Sequence, residues 1–187
     1  MGHHSNKEYA AKVAALEKPK ETWPKWIVTG GGVGFLRPAP GSWGTIPPAA
    51  LYWVLLMAGV GEFTRTLVML VFALVAAVLL VRWGRWACAY FQQIDPGSVI
   101  LDEYVGFSVA VAFVPMENLA GIGTDPWRTW LVTAAAYVLF RATDTLKIPP
   151  ARQLEALPWG WGILLDDVAA GIQANIIGQI LVRVIHP

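Results

Sequence analysis

Two acidic pairs, Asp102-Glu103 and Asp166-Asp167, stand beside long apolar runs in a chain of 187 residues, of which only 14% are charged. A carboxylate set against apolar sequence is costly unless it holds a cation or a partner, so such pairs are candidates for chemistry by default. The chemistry that suits them is binding of a hard cation: Mg²⁺ takes oxygen ligands and keeps several waters for a phosphate substrate. Small residues follow each pair by one helical turn, Gly106 after the first and Ala170-Gly171 after the second. Small residues let helices approach closely, and close approach would gather Asp102, Glu103, Asp166 and Asp167 around one or two ions. The competing reading is that acids are favoured near helix N-termini by the macrodipole; it explains one pair more readily than two.

Three further segments carry complementary groups. Arg141, Asp144 and Lys147 succeed one another at i+3, a spacing that permits a surface ion-pair ladder or a forked and a point-charge donor to phosphate. Asp95-Pro96-Gly97-Ser98 reads as a turn, with Ser98 as N-cap of the helix that bears the first acidic pair. Gly30 to Gly34, followed by Pro40-Gly41-Ser42-Trp43-Gly44-Thr45, leads into a helix. Its backbone N–H groups and the Ser42 and Thr45 hydroxyls suit an anion, although a flexible turn into a membrane has the same composition. No Walker-type Lys-Ser/Thr ending is present.

These groups must be positioned by five apolar runs. The first extends from Ile46 towards Gly61 after a Pro47-Pro48 helix start, and the clearest is Thr66 to Val81, ended by Arg82, Trp83, Arg85 and Trp86 at interfacial spacing. Tyr104 to Met116, Thr129 to Phe140 and Val168 to Val182 each fall short of the roughly 20 residues that cross a bilayer. They span only with flanking polar residues, and are otherwise buried helices of a compact bundle. With 56% hydrophobic residues, ten Trp and positive mean hydropathy, the expected fold is all-α: a compact membrane bundle of about five hydrophobic helices. Residues 1–25 are read as a polar, Lys-rich tail or short surface helix, and 26–187 as the single helical domain.

A net charge of +1 excludes nucleic acid as a partner, because phosphate-backbone affinity needs clustered basic charge. The single cysteine, Cys88, excludes an internal disulfide and reads as packing. His3, His4 and His186 lie at the chain ends, outside all the motifs, which excludes a histidine-based phosphatase route. If the five runs alternate across a membrane, every Lys and Arg except Arg65, Arg128 and Arg183 falls on one side. The positive-inside rule makes that side cytoplasmic, and all four motif segments fall on it.

In this order, GFLRPAPGSWGT (34–45), DPGSVILDEYVG (95–106), FRATDTLK (140–147) and GILLDDVAAG (162–171) resemble the motifs of phosphatidylglycerophosphatase A, a family of bacterial membrane enzymes. The resemblance runs from about Trp26 to the C-terminus. It implies Mg²⁺-dependent hydrolysis of phosphatidylglycerophosphate to phosphatidylglycerol and phosphate, in phospholipid biosynthesis at the bacterial inner membrane, with the site facing the cytoplasm. Asp102, Glu103, Asp144, Asp166 and Asp167 carry over as catalytic residues, and the two pairs among them as metal ligands. Arg141, Lys147, Ser42 and Thr45 are then the substrate-binding groups. One departure is visible: the family usually has Pro directly after the motif lysine, whereas Ile148 here precedes Pro149 and Pro150, ahead of Arg152. A phosphate near the interface and ten Trp able to sit at head-group depth suggest an anionic phospholipid, a diacyl monoester whose tails stay in the bilayer. The alternative class is a membrane cation transporter or a lipid-head-group binding protein using the same acids, and a transporter would favour a polar path at mid-depth.

Overall fold

The computed structural model describes residues 9–116, 119–149, 151–154, 157 and 160–185. Among these residues every element is a helix and none is a strand. The elements are α1 (Pro24–Val28), α2 (Pro40–Met57), α3 (Glu62–Phe91), α4 (Leu101–Ala110), α5 (Pro126–Leu146), α6 (Ala151–Leu154) and α7 (Gly160–Ile185), with a 3-10 turn at Val33–Phe35. His3, His4 and His186 lie outside the described residues, as does the side chain of Arg152.

The short helix α4 is the centre of the bundle, and α7, α3 and α2 pack around it. Phe107 on α4 makes edge-on ring contacts with Tyr52 of α2 and Phe140 of α5, at centroid distances of 6.3 and 6.2 Å. Leu101 and Val105, on other faces of α4, join a second cluster with Leu80, Ala87 and Cys88 of α3 and with Ile163 and Leu164 of α7. Beyond its first turn the helix is apolar on most of its surface, which suits a position inside the bundle. Residues 9–14 are helical and bury Val13 in that second cluster. The Trp86 indole N–H donates to Glu21 O (3.2 Å) and Gln92 Nε2 to Leu16 O (3.1 Å), so the Lys-rich segment is bound to α3.

Three boundaries differ from the sequence expectations. Helix α2 starts at Pro40, so Pro47 and Pro48 sit inside it. Pro40 takes the first helical position, where a missing N–H costs nothing, and the later prolines leave Trp43 and Gly44 carbonyls without the usual i+4 donor. Ser98 is not the cap of α4: the N-cap is Ile100, without a side-chain bond. Ile100 N–H donates to Val28 O (3.0 Å), which keeps the chain out of the helix until Leu101. The acidic pair therefore occupies the first turn of α4.

The third difference is that Tyr104 to Met116 does not form one helix. Asn175 Nδ2 of α7 lies 3.1, 3.1 and 2.6 Å from the carbonyls of Val109, Ala110 and Ala112, capping α4 after ten residues. Among the described residues, only Glu62–Phe91 is long and apolar enough to cross a membrane by itself. The runs on α5 and α7 lie within helices of 21 and 26 residues that also carry Arg128 and Arg141, or Asp166, Asp167, Gln173 and Asn175.

Candidate active site

Where α4 and α7 cross, their backbones nearly touch. A Cβ on Gly171 would collide with the Gly106 carbonyl oxygen and lie 3.1 Å from Gly106 C, while a Cβ on Gly106 would lie 2.9 Å from Asp167 O. This contact sets the first turn of α4 beside the second turn of α7, so the two acidic pairs face one cavity of about 290 Å³. Its walls also include Asp95, Arg141, Asp144 and Lys147, and the first turn of α2 at Pro40, Gly41 and Ser42. A helix start presents unpaired N–H groups and the positive end of the dipole, which suits an anion. Gly41 leaves room for the ion pair: a Cβ there would press on Glu103 Oε1 and lie 3.0 Å from Arg141 Nη2, so these side chains would have to shift.

Both pairs share one local arrangement. The first acid accepts from the backbone N–H of the second: Asp102 Oδ1 from Glu103 (2.9 Å), and Asp166 Oδ1 from Asp167 (3.0 Å). Beyond that, each pair has one acid held by a cation and one that is not. Glu103 Oε2 accepts from Arg141 Nη1 and lies 3.0 Å from Thr45 Oγ1, whose single proton is shared with Gly41 O at 2.9 Å. Arg141 also pairs with Asp144 at 3.0 Å, and Lys147 Nζ reaches Asp166 Oδ2 at 3.2 Å. Asp167 Oδ2 is buried with no hydrogen-bond partner among the described residues.

The i+3 ladder is thus only half formed, because Lys147 turns across to α7. It can do so because it is the C-cap of α5 with φ 43°, a left-handed conformation that ends the helix and redirects the side chain. Asp102 lines the cavity. Thr45 does not line it: the residue is fully buried behind Glu103. The amides of Gly30, Gly31, Gly32 and Gly34 are consumed by the carbonyls of Ile27, Trp26 and Thr29, so the glycine run closes α1 and cradles no anion.

Among the described residues, six carboxylates line the cavity, Asp95, Asp102, Glu103, Asp144, Asp166 and Asp167, with the cations Arg141 and Lys147. The four acids of the pairs precede the apolar runs of their helices, and their proton affinities record the imbalance. Burial pushes Glu103 up to about 7 although Arg141 pulls the other way, and pushes Asp166 up to about 7 against Lys147. Asp102 and Asp167 are held well above the usual carboxylate range, by burial first and then by repulsion from Glu103 and other acids of the cavity.

Among the described residues, no three carboxylates already converge as a preformed metal cage. Mg²⁺ does not require one, since it commonly binds through one or two carboxylates, waters and substrate phosphate. An unpartnered buried oxygen on Asp167, an uncompensated Asp102 and the excess of negative charge fit such an ion.

A family profile described as Phosphatidylglycerophosphatase A matches residues 26–182. The chain belongs to the phosphatidylglycerophosphatase A family. Membership makes it a lipid phosphatase. Phosphatidylglycerophosphatase A of Haemophilus influenzae is 34% identical over 153 residues, covering 81% of this chain and 83% of its own length. A Bacteroides thetaiotaomicron protein, provisionally named as a phosphatidylinositol-3-phosphatase, is 32% identical over 158 residues, covering 82% and 90%. Phosphatidylglycerophosphatase A of Escherichia coli K12 is 33% identical over 79 residues, covering 42% and 40%. No solved structure matches the chain.

In this member of the phosphatidylglycerophosphatase A family, Asp95 is the cavity acid that motif reading did not single out. Its signal was its place at the head of the 95–106 segment, but only the fold returns a residue before the turn to the acids after it.

Proposed function

We propose that the protein hydrolyses the phosphomonoester of phosphatidylglycerophosphate, with Mg²⁺, at the cytoplasmic face of a bacterial inner membrane during phospholipid biosynthesis. The observation that carries this reading is the charge pattern of the cavity. Cations and a helix N-terminus stand ready for phosphate, beside an excess of buried carboxylate that favours a divalent ion. Asp102 and Asp167 would hold the ion, with Glu103 and Asp166 flanking it. Bound there, Mg²⁺ supplies neutralisation of phosphate charge and acidification of water.

The chain's own residues do the rest. Arg141 has N–H groups beyond those on Glu103 and Asp144 with which to fork onto phosphoryl oxygens, and Lys147 adds a point charge. Gly41 and Ser42 amides at the start of α2 address the same anion. Glu103, pushed up to about 7, is fixed by Arg141 and Thr45 at the cavity wall, where it can accept a proton near neutral pH. The alternative of a mid-membrane transport site has no support from this placement, since the acids gather at one end of the bundle beside an anion-binding helix start.

The membrane reading rests on the outer surface. Phe63 is 72% exposed, Leu74 63%, Val138 61% and Val184 73%, and Leu67, Val71, Val75 and Val78 continue the stripe on α3. An apolar belt of this extent on α3, α5 and α7 is what a hydrocarbon surround covers. Multi-pass insertion with the cavity on the cytoplasmic side predicts a labelling pattern. Native Cys88 is fully buried, its Sγ donating to Ile94 O at 3.2 Å, and stays silent on either side. In a Cys88→Ala background, Thr64→Cys reacts with an impermeant thiol reagent in intact cells, and Gln93→Cys reacts only after lysis. The opposite pattern reverses the orientation.

Phosphate release from phosphatidylglycerophosphate by detergent-solubilised protein, with Mg²⁺ or with EDTA, tests the activity. Release that requires Mg²⁺ is expected, with soluble glycerol 3-phosphate a poor substrate. Folded protein without release under either condition overturns the reading. Phosphatidylinositol 3-phosphate, suggested by the Bacteroides relative, serves as the competing substrate.

A pH prediction follows from the raised acids. Glu103 and Asp166 titrate near 7 when folded and in the ordinary carboxylate range when unfolded, so between about pH 4 and 7 the folded state binds more protons. Stability of the EDTA-treated protein therefore falls as pH rises through this window. Thermal melts should show a lower Tm at pH 8 than at pH 5, with added Mg²⁺ raising Tm much more at pH 8. A Tm that rises with pH in EDTA would refute this arrangement of charges.

A further inference from the structure

We infer that the groove between α2 and α5 holds one acyl chain of the substrate, so that the enzyme grips a lipid tail as well as its head group. This rests on the phospholipid-phosphatase reading above. The groove has a volume of about 560 Å³, and Ile46, Ala50 and Trp53 of α2 face Trp130, Ala134 and Tyr137 of α5 across it.

Continuity with the carboxylate cavity is the first argument. The Tyr137 hydroxyl donates to the carbonyl of Ser42 at 3.0 Å, and Ser42 lines the carboxylate cavity, so the apolar groove begins where the polar one ends. On α5 the change occurs within one turn, from Arg141 in the cavity to Tyr137 in the groove. A lipid whose phosphate lies against the start of α2 thus has its glycerol near Tyr137 and a tail directed along the two helices.

Chemical character is the second. Both hydroxyls that line the groove are already committed, Tyr137 to Ser42 O and Thr133 Oγ1 to Thr129 O at 2.9 Å. Beyond the indole N–H groups of Trp53 and Trp130, the wall is methyl, methylene and ring carbon, which favours a hydrocarbon occupant. The alanines make the space: Ala50 and Ala134 present only a Cβ where larger side chains would close the gap. From Tyr137 to Trp130 the helix advances about 10 Å at 1.5 Å per residue, a length suited to part of an extended acyl chain. Tails left wholly in the bilayer would leave this groove without a role beside the site.

The test compares dipalmitoyl and dihexanoyl phosphatidylglycerophosphate in mixed micelles at matched surface concentration. Wild type should favour the dipalmitoyl lipid in kcat/KM by about tenfold or more, the scale on which apolar pockets discriminate. Ala50→Phe and Ala134→Phe, which fill the groove, should lower kcat/KM for the dipalmitoyl lipid much more than for the dihexanoyl lipid, so that the chain-length preference is lost. Val138→Phe, a bulky change on an exposed position of the same helix, should preserve the preference. If the phenylalanine variants do not fold, Ala50→Leu at an exposed position makes the same comparison with a smaller addition. An unchanged chain-length preference in folded groove variants, or an equal loss on both lipids, overturns the inference and leaves the phosphatase reading standing. Wild type that releases phosphate from neither lipid overturns both.

Discussion

Asp102→Asn and Asp167→Asn should each reduce phosphate release by at least about 100-fold, yet leave the metal-free protein as stable as wild type or more so. The opposite signs distinguish a ligand from a structural acid. Arg141 pairs with Glu103 and Lys147 with Asp166; Asp102 accepts its neighbour's N–H, and Asp167 Oδ2 has no partner among the described residues. Both are held well above the ordinary carboxylate range by burial and repulsion, so removing a charge relieves the empty cavity while depriving a cation of its ligand.

Glu103→Gln and Asp166→Asn should behave differently in stability. Each removes a charge that burial disfavours but also the acid's contact with Arg141 or Lys147 across to another helix, so the two effects offset and less stability is gained. A Mg²⁺ titration separates the roles further: excess ion recovers part of the rate where a ligand only weakened binding, and none where a proton acceptor was lost. Near wild-type rates in both Asp102→Asn and Asp167→Asn across that titration would remove the basis for a two-helix carboxylate site.

Gly171→Ala should cost about 1–3 kcal/mol of stability and most of the activity, although Ala is the better helix former. The added methyl would run into the Gly106 carbonyl, which is backbone and has no rotamer to escape through, so α4 and α7 must separate. Since one acidic pair rides on each helix, separation moves Asp102 away from Asp167, and displacement of about 1 Å suffices to cost a large factor in rate. Gly178→Ala on the same helix is the control: its nearest neighbour, Leu139 Cδ2, lies 3.8 Å from the new Cβ, an ordinary contact. That variant should be neutral or gain about 0.5–1 kcal/mol from propensity. Equal melting temperatures and equal rates for the two variants would show that the crossing does not set the site.

The two acidic pairs, the small residues one turn after them and the Arg141-Asp144-Lys147 segment were all legible in the sequence, because helical periodicity converts such spacing directly into shared faces. So was the outer character of α3, whose uninterrupted Leu, Val and Ala admit a helix with an apolar exterior and little else. Family membership was legible for a related reason: four ordered polar segments in an apolar chain are rare enough to identify one another.

Helix length was less so. Nothing within Tyr104 to Met116 announces that Asn175, about 65 residues later, will cap the carbonyls of Val109 to Ala112, and nothing near Pro47 shows that the helix has begun at Pro40. The partition of the acids was also decided only in three dimensions. Sequence treats Asp102 and Glu103 alike, as it does Asp166 and Asp167, since each pair is one step apart on its helix. The cations that distinguish them arrive from α5, at Arg141 and at its C-cap Lys147, and the Gly106–Gly171 contact brings the two acid-bearing helices together. Spacing along the chain fixes what is near within a helix, whereas the balance of charge in a cavity depends on which helices meet there.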